Sequence, residues 1–242
     1  MRGASPADRV WGGVRNAVRR QVRFGIEAAL PTLVRRSLRR DLAGTWGRGD
    51  VAALAPSAPD GPGVLVAANH HAWWDGYLAW VLARRAGRPL ALLMNDAQFD
   101  RFPFFGAYGV VPVRHARTFA RRVADGALGI VFVEGGLRPA GPVEAVEPGA
   151  ARLARATGVP LHPLAIRVTL RGLQRPEAYL SLGGPVAAED GAVRDALNAE
   201  LADVDARLRA TDPETIPSAF TLWAPGRGSP DRAARGFERW WT

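Results

Sequence analysis

The sequence predicts an α/β protein with a central mixed sheet flanked by helices and an N-terminal amphipathic helical segment. Three observations predict it. Short apolar runs alternate with stretches of helical periodicity from residue 64 to residue 210. A Pro/Gly-rich break at 56–63 separates that alternation from what precedes it. Ahead of the break, apolar residues recur at helical spacing between arginines.

In that first segment, running from Arg9 to about Leu42, Val10, Trp11, Val14, Val18 and Val22 form one stripe. Ile26, Leu30, Leu33, Val34 and Leu38 continue it, and Pro31 divides the stretch into two helices. Between the stripes stand Arg15, Arg19, Arg20 and Arg23, then Arg35, Arg36, Arg39 and Arg40. A helix of this kind lies in the plane of a membrane interface, its aliphatic face in the acyl boundary and its guanidiniums against phosphates. The competing reading packs the stripe on the protein's own core and leaves the arginines in water.

Beyond the break, strands are expected at 64–68, 89–94, 108–113, 130–133, 160–169 and 179–182. Helices are expected at 74–85, 118–128, 149–157 and 193–210. The organisation that follows is a basic amphipathic membrane-association segment at 1–55 and a main domain at 56–242. The latter ends in an aromatic tail with Phe237, Trp240 and Trp241. The longest apolar candidate, Phe24 to Val34, is interrupted by Glu27 and Pro31 and is too short to span a bilayer. The arginine-rich N-terminus does not have the pattern of a signal peptide.

Composition removes several chemistries. All 32 basic residues are arginine, and there is no cysteine. A P-loop lysine, a pyridoxal Schiff base, a thiolate nucleophile and a cysteine-ligated zinc are therefore excluded. Of the net charge of +9, residues 1–50 hold eleven arginines against Asp8, Glu27, Asp41 and Asp50. The basic character thus belongs to one end of the chain, and its partner is an anionic surface.

After the first expected strand comes Asn69-His70-His71-Ala72-Trp73-Trp74-Asp75. On one continuous helix, His70 and Asp75 would point to different faces. With His70 in the loop and Asp75 in the first turn of the following helix, the carboxylate can accept one ring N–H, leaving the other nitrogen free to take a proton. None of the serines (Ser5, Ser37, Ser57, Ser181, Ser218, Ser229) sits in a nucleophile elbow. The pair therefore suits general-base activation of a substrate hydroxyl.

These residues resemble the N-H-x4-D signature of the glycerolipid (lysophospholipid) acyltransferases. Further blocks similar to that family follow in order across residues 64 to 170. Gly109-Val110-Val111-Pro112-Val113-Arg114-His115 resembles the second; the family's arginine aligns with His115, and Arg114 stands one residue earlier. Phe132-Val133-Glu134-Gly135-Gly136-Leu137-Arg138 resembles the third, and Val159 to Ala165 the fourth. The resemblance implies His70 and Asp75 as the catalytic dyad, with Arg114, Glu134, Gly135 and Arg138 as substrate-binding residues. It also implies acyl-CoA or acyl carrier protein as co-substrate, with no metal or other cofactor.

The function expected is acyl transfer to a lipid hydroxyl, most simply that of a lysophospholipid such as lysophosphatidic acid, by an enzyme peripheral or monotopic at the cytoplasmic face of the membrane. A glycolipid or lyso-aminolipid acceptor stays open, as does a non-catalytic, basic lipid-binding protein. A metal hydrolase built on His70, His71 and Asp75 lacks nearby further ligands. No nucleic-acid-binding module is recognisable.

Overall fold

The computed structural model describes residues 31–58 and 61–228. The expected helix before Pro31 and the aromatics Phe237, Trp240 and Trp241 lie outside them. Residues 31–41 are helical (α1). The strands are β1 (Gly44–Arg48), β2 (Val64–Ala68), β3 (Leu90–Met94), β4 (Val110–Pro112), β5 (Leu128–Phe132), β6 (Leu161–Thr169), β7 (Glu177–Leu182) and β8 (Thr221–Pro225). Between them run α2 (Asp75–Arg85), α3 (Asp96–Arg101), α4 (Ala116–Ala124), α5 (Ala150–Thr157) and α6 (Asp190–Ala210).

All eight strands form one sheet in the order β4-β3-β5-β2-β6-β7-β1-β8. From β4 to β6 the strands are parallel. β7 runs antiparallel to β6, while β1 is parallel to β7 and antiparallel to β8. The sheet is therefore mixed. Its central strands read as unbroken apolar runs because both faces are covered by helices. On β2, Val66 and Ala68 face α1 and α2, meeting Leu38, Leu78 and Leu82. Leu65 and Ala67 face the other way, toward Phe119 and Val123 of α4, Ala150 and Ala154 of α5 and Leu197 of α6. This alternation is the two-residue period of a strand expressed as two separate cores. At Gly129 in β5, an added Cβ would lie 2.7 Å from Leu65 Cδ2 and 2.9 Å from Phe119 Cζ. Only a glycine lets α4 pack this closely.

The expected elements shift where tight turns intervene. The helix expected to reach residue 128 stops at Ala124, because Gly126 turns the chain at φ 102° and Leu128 already begins β5. The strand expected at 108–113 contracts to Val110–Pro112 between two 3-10 turns. Three elements have no counterpart in the sequence reading: β1, α3 and β8. β1 lies within the segment expected to be a membrane-association helix, yet it pairs with β7 along its whole length. The expected boundary at 55/56 thus falls between two strands of one sheet.

Polar groups fix the ends of this framework. Arg88 is buried, and its guanidinium donates to three carbonyls: Leu54 O (2.5 Å), Gly126 O (2.7 Å) and Ala55 O (3.2 Å). Loss of hydration holds its pKa below the ordinary arginine value. Arg167 on β6 makes a two-point bond with Asp205 of α6 (2.8 and 3.0 Å), tying the longest helix to the sheet. No helix among the described residues is long and apolar enough to cross a membrane.

Candidate active site

Parallel strands deliver their C-terminal ends to one edge, and in open α/β sheets chemistry collects there. At this edge β2 ends beside β5, with Ala68 opposite Phe132. The chain leaves β2 through Asn69, whose amide locks the exit. Asn69 Nδ2 donates to Ile166 O (3.0 Å) and Asn69 Oδ1 accepts from Ile166 N (2.7 Å). A side chain here replaces one step of strand pairing with β6. His71 makes a second attachment, its Nε2 lying 3.1 Å from Ile166 O and 3.2 Å from Val168 N.

Between these anchors stands His70. Its Nδ1 is 2.8 Å from Asp75 Oδ2. The same oxygen accepts the backbone N–H of His71 (2.8 Å) and of Ala72 (2.9 Å). Asp75 occupies the first turn of α2 and is wholly buried, whereas the His70 side chain is 22% exposed. Two backbone donors and the ring nitrogen thus converge on one carboxylate oxygen. A carboxylate partner accepts an N–H at Nδ1, and in that tautomer the Nε2 lone pair is free. The imidazole stacks on Phe132, with ring centroids 4.2 Å apart and planes 15° apart, which leaves little freedom to rotate.

The loop after β5 grips the His70 backbone from the other side. Glu134 Oε2 accepts the His70 N–H at 2.7 Å, and Arg138 N donates to His70 O at 2.8 Å. Gly135 turns the chain between them at φ 68°, and a Cβ there would press to 3.1 Å from Glu147 Cγ. Glu134, Gly135 and Arg138 are thereby brought to His70, while the Arg138 residue remains exposed.

Arg114 is placed differently. It follows β4 in the 3-10 turn Val113–His115, with β3 and β5 between its strand and β2. Three strand spacings put β4 about 14 Å from β2 across the sheet. Its guanidinium meets Asp100 Oδ1 at 2.6 Å, and its N–H donates to Asp96 Oδ1 at 3.0 Å. The hydrogen bond to Asp100 raises the Arg114 pKa above its ordinary value. His115 is exposed beside it.

His71 is a half-buried neighbour of the pair. Burial, the largest effect, lowers its pKa below 6.5, and the charge of Arg167 acts in the same direction, while Asp75 opposes them. Sequence reasoning named Asn69 and Phe132 only as members of the quoted blocks and His71 only in the metal-hydrolase reading. Their contacts, with β6 and with the His70 ring, join segments far apart in the chain. Among the described residues, no three His, Asp or Glu side chains converge as a metal site.

A buried carboxylate that fixes one nitrogen of a partly exposed imidazole, at the carboxyl edge of an α/β sheet, is an arrangement that can serve general-base chemistry. Comparison with known proteins gives the class. Residues 54–167 match the Acyltransferase family model. The matched segment contains His70 and Asp75, and the match supports enzymatic O-acyl transfer. The fold resembles that of the 1-acyl-sn-glycerophosphate (LPA) acyltransferase PlsC from Thermotoga maritima. The TM-score is 0.54 at 21% identity, covering 80% of this chain and 83% of that one. No curated protein matches the sequence significantly.

Proposed function

We propose that the protein transfers a fatty acyl group from a thioester, acyl-CoA or acyl carrier protein, to a hydroxyl of a lipid acceptor. His70 acts as general base and Asp75 orients it. The observation that carries this reading is the 2.8 Å contact between His70 Nδ1 and the wholly buried Asp75. In the reaction, His70 Nε2 takes the acceptor's hydroxyl proton as that oxygen attacks the thioester carbonyl. The tetrahedral intermediate collapses with cleavage of the C–S bond, and the leaving thiolate receives the proton back from His70. The products are an ester and a free thiol, and the enzyme is unchanged.

The acceptor class proposed is a lysophospholipid such as lysophosphatidic acid, in keeping with the activity in the name of the Thermotoga maritima protein. Arg138, an exposed residue whose backbone N–H meets His70 O, supplies the cation proposed to meet its phosphate. A second reading, with a glycolipid or lyso-aminolipid acceptor, is favoured by one observation: Arg114 is already engaged by Asp96 and Asp100. The enzyme works peripherally or monotopically at the cytoplasmic membrane face, with the basic segment 1–55 contributing to attachment.

The test is His70→Ala assayed with acyl-CoA and lysophosphatidic acid, beside mass spectrometry of total lipids from cells expressing each form. Removal of a general base should lower kcat by ~10²–10⁴-fold, with melting temperature and vesicle binding retained. Undiminished transfer by His70→Ala would sink the dyad. A lipid class that rises only with the intact dyad identifies the acceptor.

A further inference from the structure

Seven large apolar side chains are strongly exposed among the described residues: Leu33, Trp73, Phe104, Val113, Leu137, Leu170 and Leu222. Four of them share a topological position. Val113 follows the C-terminal end of β4, Leu137 that of β5, Trp73 that of β2 and Leu170 that of β6. Of the other three, Leu33 lies in α1, Leu222 in β8 and Phe104 in the 3-10 turn Pro103–Tyr108 ahead of β4, while the turns that enter β5 and β6 at the opposite edge, with Asp125, Gly126 and Gly158, hold none of the seven. The side chains are 53%, 55%, 62% and 64% exposed for Val113, Leu137, Trp73 and Leu170, so each is displayed, not half packed.

From β4 to β6 is four strand spacings, about 19 Å across. Apolar side chains spread over that distance, on loops and not around a groove, match a flat apolar partner better than a peptide or a small ligand. The charge of the edge suits the same partner. Arg117 and Arg138 are exposed on it, beside Val113 and Leu137. The α1 helix, with Arg35, Arg36 and Arg39 exposed, ends here as well. Trp74 Nε1 donates to Asp41 at 3.3 Å, and Arg175 Nη1 to Arg40 O at 2.6 Å. Of the carboxylates at this edge, Asp96 and Asp100 are taken up by Arg114 and Asp41 by Arg40, while Glu147, whose N–H meets Val133 O, is exposed.

We infer that the carboxyl edge of the sheet is itself the membrane-docking surface, seating Trp73, Val113, Leu137 and Leu170 in the interface of a bilayer containing anionic phospholipid. Arginines at the rim reach lipid phosphates while their stems lie along apolar surface, and a tryptophan favours the headgroup level. The inference deepens the proposed function and rests on its lipid acceptor. It assigns docking to the catalytic domain and not to the basic N-terminal segment alone. Because Leu137 adjoins Arg138, whose N–H holds His70 O, docking brings His70 to the depth of the lipid headgroups.

The absence of cysteine makes the test clean. Single variants of the full chain, Val113→Cys, Leu137→Cys and Leu170→Cys, are labelled with an environment-sensitive fluorophore; Asp125→Cys marks the opposite edge. With vesicles of phosphatidylcholine and phosphatidylglycerol, the first three labels should shift to the blue and the fourth should not. The double variant Val113→Ser, Leu170→Ser should bind the same vesicles at least about tenfold more weakly, as expected for apolar side chains left in water. Its transfer rate to acceptor dispersed in detergent should be retained.

Two results would overturn the docking inference: a chain that pellets with vesicles while the three edge labels stay unshifted, or one that does not bind vesicles at all. Wild-type transfer in detergent is read separately. Its absence counts against the proposed activity, whereas edge labels that shift in the same preparation still support the docking surface.

Discussion

Two places at the carboxyl edge carry residues expected to meet substrate, and they are built in opposite ways. At the junction of β2 and β5, His70 is fixed by Asp75 on its ring, by Glu134 and Arg138 on its backbone and by Phe132 beneath it. Asp75 is wholly buried, so breaking that contact leaves a carboxylate without water to replace its partner. At the outer corner after β4, Arg114 is held by Asp100 in an ion pair in which both side chains are open to solvent. Water and salt can replace that partner readily. The first place is preorganised for one geometry, and the second can exchange its counterions with a ligand.

The comparison breaks most visibly at Asp75. Asp75→Asn retains an acceptor for the His71 and Ala72 N–H groups but no longer selects the tautomer with Nε2 unprotonated. The expected result is a fall in kcat of ~10²–10⁴-fold with a folded protein, read by steady-state kinetics beside circular dichroism. Full activity in a folded Asp75→Asn protein would remove the orienting role.

Glu134→Ala should have a smaller effect, because it removes an acceptor from the His70 N–H without touching the ring. Leaving a partly buried donor unpaired costs about 1–3 kcal/mol. Chemical denaturation should show a loss in that range together with reduced kcat, and Glu134→Gln, which keeps an acceptor, should restore both. Failure of Gln to rescue would mean that the Glu134 charge itself meets substrate.

His71 gives the comparison a pH axis. Its folded pKa is lowered by burial from 6.5, so the unfolded chain binds the proton more readily. The stability that comes from keeping His71 neutral is present above pH 6.5 and is lost as pH falls through the lowered folded value. Thermal melts from neutral to acidic pH should show wild type losing Tm on acidification, with His71→Gln losing less. Parallel curves for the two proteins would remove the effect.

The smallest change is expected at Arg114. Arg114→Ala should leave Tm unchanged, since its ion pair is exposed. It should raise KM for a phosphate-bearing acceptor no more than severalfold. A large rise in KM with constant kcat would place the acceptor phosphate at this corner and narrow the contrast between the two regions.

Much of the centre of the molecule was legible from the chain alone. The strand at 64–68 and the helix ending at Arg85 follow from residues whose period matches their surroundings. The five-residue spacing of His70 and Asp75 demanded a loop and a helix start, which is how the chain folds. The outer sheet was less visible. β1 is a run of Gly44-Thr45-Trp46-Gly47-Arg48, and β8 contains three exposed residues, Thr221, Leu222 and Pro225. Both lie toward one end of the sheet, where only one neighbour or a partial covering constrains the pattern.

What the sequence determined by itself is therefore what repeats locally or depends on residue type. This includes the alternation of helices and strands, the exclusion of lysine and cysteine chemistry, and the availability of a histidine and a carboxylate across a turn. Tertiary structure decided what depends on contacts between distant segments. It set Glu134 on the backbone of His70, across 64 positions of chain, and engaged Arg114 with Asp100. It also gathered four apolar loops at one edge. Local periodicity reports which way a side chain faces along its own element, but only the order and direction of the strands determine which loops become neighbours.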